Sequence, residues 1–160
     1  MGYQLYGAIG NGGILATLRH PSMHAMHQLR RGLGLCAVRT EAVNDEPLAD
    51  VPGPLLYLTV SVLDFVTEIS HRTPVVYVTA EFFGGVGDQA ACGWSAGTLA
   101  LGPLTTHHDR PPRAPRSFRR VVREDTGAID TALGWLGVPR RRGRDRFQAV
   151  GLADQRDWEA

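Results

Sequence analysis

The stretch Pro74-Val-Val-Tyr-Val-Thr-Ala-Glu81-Phe82-Phe83-Gly84-Gly85-Val86-Gly87-Asp88-Gln89-Ala90-Ala91 constrains the fold more than any other part of the chain. A β-branched, aromatic run has the composition of a strand. It ends in a carboxylate and two phenylalanines. Three glycines within four residues then allow the backbone to bend or to be approached closely. Gln89–Trp94 reads as the next strand, Ser95-Ala96-Gly97 as a tight turn, and Thr98–Leu101 as a third strand before Gly102-Pro103. Connections this short cannot cross over, so the run predicts an antiparallel meander over residues 74–102.

The flanking segments add helices. Leu55, Leu58, Val62, Val66 and Ile69 recur every three or four residues and predict a helix over Leu55–Arg72, although the β-branched residues before Leu63 leave a strand followed by a shorter helix open. Ile129, Ala132, Leu133 and Leu136 form a second stripe, which Asp125 or Thr126 would cap and Gly137 with Pro139 would end. Pro21 fits the first position of a third helix running to Arg31. Gly2–Gly10 reads as a strand and Asn11-Gly12-Gly13 as a turn. Leu33–Val38 reads as a short strand, Thr40–Gly53 as an exposed loop, and Phe147–Leu152 as a segment that packs back on the core. The expected class is α+β: a mainly antiparallel sheet against two or three helices, in one domain of 160 residues.

Charge is distributed unevenly. The 17 basic residues are all arginine. Without lysine, Schiff-base, P-loop and Ser-x-x-Lys chemistries are excluded. Residues 1–109 carry five arginines against nine acids, and residues 110–146 carry eleven against four. The Pro- and Arg-rich part, around 104–124, reads as a loosely ordered arm. Phe118 alone interleaves its arginines, which argues against nucleic-acid binding. No apolar run reaches membrane-spanning length and no signal peptide is visible, so the expectation is a cytoplasmic protein without membrane contact. Cys36 and Cys92 lie in apolar, strand-like surroundings and read as buried free thiols.

Several motifs invite a chemical reading. Gly93-Trp94-Ser95-Ala96-Gly97 matches a nucleophile elbow, but that needs a helix after the serine, where a strand is expected. Gly85-Val86-Gly87-Asp88-Gln89-Ala90 matches a dinucleotide loop, which also needs a following helix. His20, His24 and His27 could gather imidazoles around zinc or copper if their segment is helical. Glu81 is simply solvated if it points outward. If inward, it needs a partner such as Arg39 or the Gln89 amide. No second catalytic group pairs with it by spacing, and no cofactor is expected.

With Trp94 and Leu99-Ala-Leu-Gly-Pro103, the segment Tyr77–Ala91 resembles a family of small bacterial proteins common in actinobacteria. They carry a Tyr-x-x-x-Glu-Tyr/Phe-Phe-Gly-Gly-x-Gly-x-Gln-x-Ala segment with no assigned chemistry. Ile129–Gly137 and Phe147–Leu152 look like the same family's C-terminal part, whereas His20–His27 and Arg110–Arg123 depart from it. Similar segments occur in polymorphic-toxin systems in an immunity role. The resemblance implies a non-enzymatic, immunity-like binding protein that neutralises a protein partner, a toxin being the candidate. The expected contact is a sheet edge around Glu81–Gln89, with Glu81, Phe82, Phe83, Gly84, Gly85, Gly87, Asp88, Gln89 and Trp94 as binding residues. A homo-oligomer stays open. The alternatives are a small enzyme or a small-molecule or nucleotide binder using the Gly84–Gln89 loop, and a histidine-rich metal-binding protein.

Overall fold

A computed structural model describes residues 2–53, 55–84, 86–108, 127–155 and 158. It contains a six-stranded antiparallel sheet in the order β2-β3-β1-β4-β5-β6. The strands are β1 (Tyr3–Asn11), β2 (His27–Gln28), β3 (Leu33–Ala37), β4 (Val75–Phe83), β5 (Val86–Ser95) and β6 (Thr98–His108). Helices α3 (Val60–Ser70) and α4 (Ala128–Trp135) cover opposite faces, and α1 (Gly12–Leu15), α2 (Thr40–Val43) and α5 (Arg146–Ala149) are single turns. The α+β class and the antiparallel meander are as the sequence predicts.

The unbroken apolar run at the head of β4 follows from its central place. Tyr77 faces the α3 layer with Val62, Phe65, Val66 and Ile69. Val76 and Val78 face the α4 layer with Ile129 and Leu133. A strand buried on both faces shows no alternation. Two-residue connections close the meander: residues 84–85 between β4 and β5, and Ala96-Gly97 between β5 and β6. Ala96 and Gly97 have φ of 51° and 78°, the two positive values that a type I′ hairpin turn requires. Gly87 meets a different demand. A Cβ there would lie 1.9 Å from the Glu81 carbonyl oxygen, so only glycine lets β5 pass so close.

Several predicted boundaries move. Pro21–Arg31 is not a helix. Met23 bridges Val38, and β2 pairs His27 with Leu35 and Gln28 with Gly34. The two buried apolar residues of that segment, Met23 and Leu29, join the cores on opposite sides of the sheet, which one helical stripe could not do. The 55–72 helix starts only at Val60, where the Thr59 hydroxyl accepts from the Val62 amide. Leu55 and Leu58 still reach the core from an irregular lead-in, which explains their helix-like spacing. Asn11 caps α1 rather than forming a turn, and the expected 40–53 loop begins with α2. Strand β6 runs through Pro103 to His108, because proline is tolerated on an edge strand. Asp125, Thr126 and most of the Pro/Arg-rich arm lie outside the described residues.

Candidate functional site

Toward the turn end of the β4–β5 hairpin, alternation carries Tyr77, Thr79 and Glu81 onto the α3 side of the sheet. Glu81 is half-buried, and its carboxylate accepts a short hydrogen bond from the Tyr6 hydroxyl. The expected partners, Arg39 and Gln89, lie elsewhere. Arg39 sits 3.6 Å from Glu41. Tyr57 packs on Tyr6 with ring centres 4.7 Å apart, and Tyr77 donates to the Leu56 carbonyl at 2.7 Å. Burial, reinforced by the nearby Tyr6 and Tyr57, pushes the Tyr77 phenol well above its ordinary pKa, so it stays protonated and able to donate. Tyr57 has a φ of 59°, an uncommon backbone state for a residue with a Cβ.

Asp88 stands directly opposite Glu81 in the β4–β5 register. His107 Nδ1 on β6 donates to its carboxylate at 2.5 Å. Glu81, Asp88 and His107 open with Leu56, Thr79 and Thr105 onto a cavity of about 470 Å³. Glu81 and Leu56 also wall a second cavity of about 340 Å³, which Tyr57, Leu48 and Glu46 complete. The two spaces therefore adjoin along one groove. Hydrogen bonds from the Ser61 and then the Thr59 hydroxyl hold the Glu46 carboxyl below its ordinary pKa.

The predicted binding residues divide around this groove. Glu81 and Asp88 face it. Gln89 borders it, but its amide oxygen accepts from the Ile129 amide at 3.2 Å and so caps α4. Phe82 is on the other face, between Tyr3 and His108. Phe83 is 61% exposed at the hairpin tip, beside Gly84 in the turn. Gly85 lies outside the described residues. Trp94 is not a surface contact: it is buried in the α3-side core. Nor is the hairpin a sheet edge. β4 and β5 are interior strands, β2 and β6 are the flanks, and the hairpin projects from the sheet's end.

The histidines do not converge as a helix would bring them together. His20 accepts from the Ser22 amide and packs on Phe65, on the α3 side. His27 packs on Trp158, on the α4 side. His24 has a buried Nε2 without a hydrogen-bond partner. Among the described residues no three His, Cys, Asp or Glu side chains are grouped to hold a metal. Cys36 and Cys92 are buried and free, and burial pushes both thiols up to about 11, which keeps them protonated and unreactive. Strands, not the required helices, follow both glycine motifs.

Sequence reasoning missed Tyr6, Tyr57, Leu48, Leu56 and His107. Tyr6 sits in a strand buried without alternation from Leu5 to Gly10, and His107 lies on β6 beyond the predicted end of that strand, so neither carried a pattern that marks it. Tyr57, Leu48 and Leu56 sit in irregular backbone, where no period marks a face. Comparison with known families, curated proteins and solved structures finds no match.

Proposed function

We propose that this is a non-enzymatic, cytoplasmic binding protein of immunity type, which neutralises a protein partner, a toxin being the candidate. The observation that carries the reading is the groove of two adjoining cavities that meet at Glu81 and Leu56. Leu48 and Leu56 stand exposed along it, and Phe83 stands exposed at the nearby hairpin tip. Single exposed apolar residues mean little, but grouped around a groove with polar anchors they suit a protein interface. The segment's resemblance to immunity proteins points the same way. No described helix is long and apolar enough to cross a membrane. The test is co-purification of the tagged protein from its native host, followed by direct binding to a toxin encoded beside it. Wild type should retain the partner and Leu56→Glu should lose it. Absence of any protein partner together with turnover of a small molecule would falsify the reading.

One observation favours a second reading, a small-molecule binder or enzyme. The Asp88–His107 pair stands beside Glu81 in a cavity within the usual range of ligand pockets. A carboxylate that orients an imidazole is a familiar arrangement for moving a proton. A ligand screen by thermal shift tests it: a true ligand stabilises wild type but not Glu81→Ala, with Gln89→Ala as the comparison for lost helix capping.

A further inference from the structure

The geometry points to a cation as what the groove takes: an arginine or lysine side chain on an extended, basic segment of the partner protein. This rests on the protein-binding reading and names the contact within it. Glu81 and Asp88 face each other across β4 and β5 and open onto one cavity. Like charges directly opposite on a sheet repel. Among the described residues, Glu81 is held by the Tyr6 hydroxyl and Asp88 by the His107 imidazole, not by a guanidinium.

That is notable in a chain whose described residues include ten arginines. Arg30 pairs with Asp154, Arg72 with Glu68 and Arg146 with Asp130, and none of the ten lines either cavity. None of these guanidiniums pairs with Glu81 or Asp88, whose basic neighbour is the His107 imidazole on Asp88, and apolar side chains stand in the wall beside them. Leu56 is 41% and Leu48 65% exposed there, and Tyr57 lines the second cavity with Glu81. Such a surface fits a side chain with an aliphatic stem and a charged head. The stem lies along Leu56 and the head between the two carboxylates. A planar guanidinium, which can donate to two carboxylates at once, fits better than an ammonium.

Fluorescence polarisation with four labelled nonapeptides tests this. All four alternate leucine with a second residue: arginine, lysine, neutral citrulline or glutamate. Each is titrated with the full chain and with Glu81→Gln, Asp88→Asn and Glu68→Gln. Glu68→Gln, on α3 and away from both cavities, is the control. The arginine peptide should bind, the lysine peptide more weakly, and the citrulline and glutamate peptides not at all. Glu81→Gln and Asp88→Asn should each weaken binding by about tenfold, the loss expected when one charged contact is removed. Glu68→Gln should bind like wild type, and added salt should weaken every productive pair. Asp88 is largely exposed, so Asp88→Asn keeps the test valid even if Glu81→Gln disturbs the fold. Equal binding of the citrulline peptide, unchanged affinity in both groove variants, or no binding of any peptide overturns the cation assignment. A host protein retained equally by wild type and both variants also overturns it, yet leaves the protein-binding reading intact. Peptide binding without any host protein partner does the reverse.

Discussion

Replacing Tyr6 with phenylalanine removes one oxygen from the groove and leaves the ring that packs on Tyr57. Glu81 then loses its donor but remains half-solvated, so Tyr6→Phe should cost about 1.5 kcal/mol in urea unfolding, the low end of the range for hydrogen bonds to charged groups. Glu46 gives a pH-dependent counterpart. Its folded pKa is lowered by the Ser61 and Thr59 hydroxyls, so near pH 4 the unfolded chain binds more protons. Its contribution is therefore present above the unfolded carboxylate pKa and is lost as pH falls through the lower, folded value. Melting curves of wild type and Ser61→Ala should lie furthest apart above about pH 5 and converge in acid. A gap that widens in acid would contradict this. The two thiols, raised to about 11, should react with a thiol reagent at pH 8 only as fast as the protein opens.

Elements are tied together by side chains that sequence patterns do not reveal. The α4 N-cap, Gly127, offers no side chain, so Gln89 and Thr106 from the sheet accept from the amides of Ile129 and Ala128. Gln89→Ala should cost about 1 kcal/mol, the usual worth of a cap, as a lower denaturation midpoint. Asp130 is nearly buried and accepts from the Arg146 guanidinium at 2.9 Å and the Arg146 amide at 2.6 Å. Asp130→Ala strands that guanidinium and should cost about 3 kcal/mol or more, whereas the Asp130→Ala, Arg146→Ala pair should cost much less than the two single changes summed. One residue of the basic block is thus a structural staple, which charge counting alone reads as part of a solvated arm. The meander is legible because its strands are long, its turns carry positive-φ residues and its composition is β-branched. Pro21–Arg31 is not, because proline and a short apolar period are compatible with both a helix and an edge ribbon until β3 needs a neighbour. Within the site, Glu81 and Asp88 are legible as lone polar groups beside an apolar run. Their partners are not, since Tyr6 and His107 come from strands 75 and 19 residues away in sequence.

On the scale of the molecule, one sheet separates two apolar cores, and β1 and β4 carry residues of both. Amides in β1 and β4 should therefore exchange slowest with deuterium, and those of β2 and the outer side of β6 fastest. That central placement also bears on how the chain is made. β1 pairs with β3 soon after it, from Asn11 with Leu33 to Gly7 with Ala37, but its other side waits for β4, with Tyr3 joined to Phe82. At about 5–20 residues per second, translation leaves that side of β1 unsatisfied for several seconds. Nascent chains stalled before residue 75 should accordingly expose a sticky β1–β3 ribbon and recruit chaperones, whereas chains extended past the β4–β5 hairpin should release them.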